Sequence, residues 1–288
     1  MNLSEKAQTL MTHSTYSAVT DDLGQPWYNY EQYGEIPKGI KFNVRKIGNG
    51  MMQYELKGED GRINTFVSVE DEQYIYNLNF NSSGIPTAFK AKDLSSFNQL
   101  LYQEQILATE AVKKSRGYIK HFKEMSKDGM GVFIYSKSEG SGKTHLVCAI
   151  ANEIMEKYQA SVKFLRAVNF FAEMKRNISA ERAGSDPYAK SNLFETTIQA
   201  NILIIDDIGA GAQSMYTSEL IYEIISKRVQ QNKVTLFTSK RAFSQLAYDT
   251  STLMAIQEKC ISITLPNENI GKAIIKNNNK RYEDLLNS

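Results

Sequence analysis

The residues of this chain with the clearest capacity for chemistry stand together in Glu139-Gly140-Ser141-Gly142-Lys143-Thr144-His145. Two glycines flanking one small residue let successive backbone N–H groups curl towards a common centre, which makes an anion cradle. Lys143 adds a positive charge, and Thr144 adds a hydroxyl suited to a hard cation such as magnesium. A nucleoside triphosphate with Mg2+ uses all of these features at once, so ATP is the expected ligand of residues 139–145. The full signature of such a loop opens with glycine, where this chain has Lys137. That opening position is the most replaceable, because the phosphate-facing curl depends on the residues beside Gly142.

A second set lies about sixty residues further on, in NILIIDDIGA. Four apolar residues make a buried strand, and Asp206-Asp207 emerge at its carboxyl end, where ligands sit in open α/β sheets. Asp206 suits magnesium, held together with Thr144, and Asp207 suits polarisation of the attacking water. The strand VTLFTS ends at Thr238-Ser239, close to where a hydroxyl could sense the terminal phosphate, and Ser239 is the expected catalytic member. Between these strands, SELIYEIISKRVQQN reads as an amphipathic helix with Arg228 near its end. A cation there complements the negative end of a helix dipole.

The elements that must position these groups are legible in the pattern. GVFIY precedes the glycine loop as a short strand, and Leu146, Ile150, Ile154 and Tyr158 recur every fourth residue behind it as the buried stripe of a helix. Strands at GVFIY, SVKFL, NILIID, VTLFTS and ISITLP alternate with helical stretches, which predicts a parallel α/β sheet covered on both faces. Ahead of this, residues 38–69 hold three β-favouring runs separated by Gly48-Asn49-Gly50 and Glu59-Asp60-Gly61, the pattern of a small antiparallel meander. Trp27, Tyr28 and Tyr30 fit either its core or an exposed partner surface. NFNSSGIP, residues 79–86, carries linker chemistry. The expected domains are therefore a β-rich one over 1–80, a linker and helical segment over 81–128, and an α/β domain over 129–288. Lys113, Lys114, Arg116, Lys120 and Lys123 read as a solvated basic helix face.

Composition excludes several classes. Apolar residues at 42% and charged residues at 23% match a soluble globular chain rather than a disordered one. No apolar run is long enough for a membrane span and no secretory signal opens the chain, so a cytoplasmic protein without a membrane partner is expected. The two cysteines and three histidines show no metal-ligand spacing. A formal charge of +2 leaves any nucleic-acid footprint to local clusters.

Together, GSGKTHLVCAIANEI, ILIIDDIGA, the helix ending SKRVQQN and VTLFTSK resemble the AAA+ domains of the DnaC/DnaI-type replicative helicase loaders, and more distantly the IstB transposition ATPases. SGIPTAFKAKDLSSF, followed by a long helix, resembles what precedes the P-loop in those loaders, so the similarity spans about residues 80–267. The resemblance implies an AAA+ P-loop ATPase that binds ATP and Mg2+, holds a hexameric replicative helicase, delivers it to single-stranded DNA and self-associates through the ATPase domain. It implies that Arg228 is an arginine finger reaching a neighbour's ATP. It also implies that residues 169–182 contact single-stranded DNA, with Lys175, Arg176 and Arg182 as the cations available. Besides Lys137, two positions depart from the family: Lys240 stands where a sensor asparagine is expected, and Ala255 where a sensor arginine is expected, with Lys259 nearby. These departures bear on hydrolysis more than on binding and imply weak turnover. They keep a non-hydrolysing nucleotide-bound adaptor open as an alternative, beside an IstB-like transposition helper. Residues 1–80 lack the cysteines of a DnaI-like zinc module, which suggests a replaced docking domain of the kind a phage or mobile-element loader would carry.

Overall fold

In the computed structural model, the described residues are 19–20, 26–29, 41–48, 51–57, 63–69, 72–182, 189–211 and 214–286. The chain divides into two units, Met1–Leu78 and Asn79–Ser288. In the first, five strands pair in sequence order: β1 (Val19–Thr20), β2 (Pro26–Asn29), β3 (Lys41–Gly48), β4 (Met51–Lys57) and β5 (Ile63–Val69). Tyr54 is opposite Val44 on one side and Phe66 on the other, β-branched and aromatic residues suited to cross-strand pairing. Tyr28 is opposite Phe42. Tyr30 and the expected turns at 49–50 and 58–62 lie outside the described residues.

The linker expected over 79–86 is not a free connection. Helix α1 (Glu72–Ser82) runs through its first half. Beyond it the Ser83 Oγ donates to Phe80 O and accepts from Ile85 N, closing a tight turn. The Asn79 Nδ2 donates to Gln159 O at 2.9 Å, and Phe164 N donates to Ser83 O at 2.7 Å. Turn-forming side chains here satisfy backbone groups of the larger unit, and Ser83 and Ile85 are buried against it.

That unit continues with α2 (Thr87–Lys90), α3 (Gln105–Lys120) and α4 (Phe122–Met125). The α/β alternation follows: β6 (Gly131–Tyr135), α5 (Lys143–Tyr158), β7 (Val162–Arg166), α6 (Ala167–Arg182), α7 (Ala189–Gln199), β8 (Ile202–Asp206), α8 (Met215–Gln230), β9 (Val234–Ser239), α9 (Thr250–Glu258), β10 (Cys260–Thr264) and α10 (Gly271–Leu286). The strands form one parallel sheet in the order β10-β6-β9-β8-β7. Both faces are covered, which is why β8 and β9 are continuous apolar runs rather than alternating ones. Phe133, Leu203, Ile205 and Phe237 pack on one face with Ile221 and Ile224 of α8. Leu146, Ile150 and Ile154, the predicted stripe of α5, are fully buried. Among the described residues no helix is long and apolar enough to cross a membrane.

Register decides where chemistry can occur. Arg166 is level with Asp206, Tyr135 with Ser239, and Thr264 with Tyr135. All five carboxyl ends therefore open onto one edge of the sheet, and the glycine loop leaves from β6 between two neighbours at that edge.

Candidate nucleotide site

The loop between β6 and α5 is held from three sides. Inside it, the Lys143 Nζ donates to Ser136 O at 3.0 Å, Ser138 O at 2.7 Å and the Ser141 Oγ at 3.0 Å. Burial pushes this ammonium below its ordinary pKa, an effect that the nearby carboxylate of Asp207 opposes. On one flank the Tyr102 hydroxyl donates to Ser141 O at 2.7 Å, with Phe97 stacked on its ring. Gly142 has φ +85°, and a Cβ there would sit 2.7 Å from that hydroxyl, so glycine is required by conformation and by space. On the other flank Ile270 N and Gly271 N donate to Gly140 O at 3.1 and 3.2 Å. Lys137 N donates to the Asn267 Oδ1 at 2.7 Å while its side chain is exposed, so position 137 uses only backbone and tolerates lysine in place of glycine.

Opposite the loop, Asp206 is 1% exposed and fully engaged. Its Oδ1 accepts from the Thr144 Oγ1 at 2.9 Å and the Thr238 Oγ1 at 2.7 Å, and its Oδ2 lies 3.4 Å from Arg166. Asp207 turns into the left-handed region at φ +59°, which an aspartate tolerates, and its N–H donates to the Thr238 Oγ1 at 2.8 Å. Thr238 thus ties both acids to the end of β9. The Lys240 Nζ lies 2.8 Å from the Glu139 Oε1 and 3.3 Å from the Asp207 Oδ2. Hydrogen bonding to Lys240 holds the Glu139 carboxyl below its usual pKa.

These groups line one cavity of about 490 Å³, a size typical of small-ligand sites. Its charged end is built from residues 139–144, Asp206 and Asp207, and its apolar end from Phe89, Ile270 and Ile274. His145 stands between loop and wall. Its Nε2 is 3.0 Å from the Ser96 Oγ, and its ring meets Phe97 edge-on at 5.4 Å between centroids. Burial first, and then the charge of Lys92, hold the imidazole below its ordinary pKa, so it is neutral at neutral pH.

Residues 119–262, half of the chain, match the family model of the bacterial DnaA ATPase domain. The chain belongs to that ATPase family. The replicative helicase loader DnaI of Bacillus subtilis (strain 168) is 30% identical over 132 residues, which cover 46% of this chain and 39% of the relative. The loader DnaC of Escherichia coli (strain K12) is 29% identical over 126 residues, 43% of this chain and 47% of the relative. The match thus spans less than half the length of either curated relative. A crystal structure of DnaI shares the fold with a TM-score of 0.52 and 23% identity, over 63% of this chain and 95% of that chain. The AAA+ domain is of the DnaC/DnaI helicase-loader type.

Two catalytic assignments made from the sequence of this ATPase domain are corrected by the structure. The hydroxyl that reaches the acids is that of Thr238. Ser239 is buried and faces away, its Oγ donating to Ile208 O at 3.1 Å and accepting from Arg241 N at 2.9 Å. Arg228 does not present a finger. It is 0% exposed, and its guanidinium donates to Thr197 O, Ile198 O, Ala200 O, Asn201 O, Val234 O and the Thr235 Oγ1. Two of those carbonyls belong to the last turn of α7, so Arg228 caps the negative end of a neighbouring helix rather than its own. Burial lowers its pKa to about 9, which leaves it cationic at neutral pH. Lys259 does not replace the missing sensor arginine at Ala255, because its Nζ donates to Asp128 O at 2.8 Å, at the amino end of β6. Lys175 and Arg176 are exposed on α6, while the side chain of Arg182 lies outside the described residues.

Four contributors to the cavity were missed by sequence reasoning: Phe89, Arg166, Thr238 as the sensing hydroxyl, and the Ile270–Ile274 wall. A signal existed for two of them. Phe89 lies in the segment SGIPTAFKAKDLSSF whose resemblance was noted, and Thr238 is the neighbour of the residue chosen.

Proposed function

We propose that the chain is an ATP-dependent helicase loader that binds a hexameric replicative helicase and delivers it to single-stranded DNA. The observation that carries the reading is the convergence of Lys143, the Thr144 hydroxyl and the Asp206 carboxylate at one end of a nucleotide-sized cavity, in an ATPase domain of loader type. The base lies against Phe89, Ile270 and Ile274, and the phosphates lie along residues 139–144. Magnesium fits this donor set: a hydroxyl and a buried carboxylate oxygen 2.9 Å apart are hard ligands that need only waters and phosphate oxygens to complete a shell. When bound, the ion offsets charge on the phosphates and orients them. Asp207, 25% exposed at the mouth, accepts the proton of the attacking water. Lys175, Arg176 and Arg182 are the proposed DNA contacts. Self-association through the ATPase domain belongs to the same proposal, with any trans-acting cation coming from a residue other than Arg228.

A second reading, a nucleotide-bound adaptor without turnover, is favoured by one observation: Asp207 is ion-paired with Lys240. Steady-state ATP hydrolysis by the full chain, with and without single-stranded DNA and helicase, separates the two. The loader reading predicts DNA-stimulated turnover that Asp207→Asn lowers by at least about a hundredfold, the usual share of a general base, with ATP binding retained. No turnover under any of these conditions would leave the adaptor.

A further inference from the structure

The loader resemblance expects an asparagine after Thr238-Ser239, and this chain has a cation there. The end of β9 is fixed by the hydrogen bonds of Thr238 to both acids and of Ser239 to Ile208 O, so the stem of Lys240 leaves from a rigid base. Its ammonium bridges two carboxylates on opposite walls of the cavity, Glu139 on the loop and Asp207 at the end of β8. The three side chains are 38%, 76% and 25% exposed, respectively. Ion pairs this open to solvent contribute little to folding, so stability does not account for the arrangement. They are also readily exchanged for a stronger anion.

Geometry indicates which anion that is. The loop nitrogens and Lys143 serve the inner phosphates, while Thr144 and Asp206 mark the metal side. The terminal phosphate then extends towards Asp207, into the span between loop and strand end that Lys240 crosses. Lys240 and Lys143 also feel each other's charge across this space, since each disfavours a second cation there. A multiply charged phosphate placed between them relieves that repulsion. A carboxylate carries one negative charge and a terminal phosphate about two near neutral pH, so the phosphate competes effectively for the ammonium.

We propose that Lys240 is a terminal-phosphate ligand supplied in cis, which makes the site selective for nucleoside triphosphate over diphosphate and, by leaving Asp207 for the phosphate, frees that acid to act on water. The inference rests on the nucleotide-binding reading above. Its test is a fluorescence titration of the full chain with N-methylanthraniloyl-labelled ADP and a labelled non-hydrolysable ATP analogue, both with magnesium, using the parent, Lys240→Ala and Lys240→Arg. One charge-assisted hydrogen bond to phosphate predicts that Lys240→Ala loses about tenfold to a hundredfold in triphosphate affinity. Diphosphate affinity should hold within about threefold, well under the tenfold that 1.4 kcal/mol represents. Lys240→Arg should restore most of the preference. Equal loss for both nucleotides would show a structural tie and overturn the proposal, as would no change for either. If the parent binds neither nucleotide, the nucleotide-binding reading fails and takes this proposal with it. Parent binding without a selective effect of Lys240→Ala sinks this proposal alone.

Discussion

Lys143→Ala should lower ATP affinity by about two to four orders of magnitude while leaving the chain folded. The size follows from the number of contacts removed: two charge-assisted hydrogen bonds to phosphate are worth roughly 3–6 kcal/mol, and each 1.4 kcal/mol is a factor of ten. The fold survives because the two effects on stability oppose each other. The ammonium is buried and pays for desolvation, which alanine removes. Its bonds to Ser136 O, Ser138 O and the Ser141 Oγ are lost at the same time. The loop keeps its outer supports, Tyr102 to Ser141 O and the Ile270 and Gly271 amides to Gly140 O. A binding titration paired with a thermal melt checks both halves. Affinity within a factor of ten of the parent would remove Lys143 from the phosphate site.

Arg228→Ala should destabilise the ATPase unit by about 3–5 kcal/mol, because it strips a buried cation from partners that are left without it. Five carbonyl oxygens and one hydroxyl share this guanidinium, and it joins the end of α7 to the start of β9. For a unit of this size the melting temperature should fall by roughly 6–20 °C. Arg228→Lys should recover only a fraction, since one ammonium cannot span the fork of carbonyls that a planar guanidinium meets. A finger working in trans predicts something different: a melting temperature within about 2 °C of the parent, and turnover partly restored by mixing Arg228→Ala with Lys143→Ala. That pair of results would overturn the buried role.

Arg228 also shows where sequence reading stops. Its place near the end of an amphipathic helix is visible from periodicity, but its burial is not, because that depends on where the last turn of α7 lands after a separate stretch of chain. The glycine loop, Thr144 and the two aspartates were legible because each is a local motif: a strand, a turn or a strand end whose chemistry lies within a few consecutive residues. Arg166 was not legible for the opposite reason. Nothing near it signals a site, and it reaches Asp206 only because β7 and β8 pair with those two residues level. Ser239 was chosen over Thr238 because alternation along a strand cannot tell which of two adjacent hydroxyls faces the neighbouring acid. The stretch 79–86 has turn composition, and it does turn, but Asn79 and Ser83 spend that chemistry on Gln159 and Phe164 rather than on water. Phe89 and the Ile270–Ile274 wall are far in sequence from the loop they face, which only the fold reveals.

The central claim is that the cavity between the loop and the acidic strand end takes ATP with magnesium. Equilibrium titration of ATP into the intact chain, once with magnesium and once with a chelator, measures this most directly. The account predicts saturable binding of one nucleotide per chain, tighter with magnesium because Thr144 and Asp206 then hold the ion against the phosphates. No saturable binding up to about 1 mM ATP, the weak end of ordinary enzyme–substrate concentrations, would contradict it.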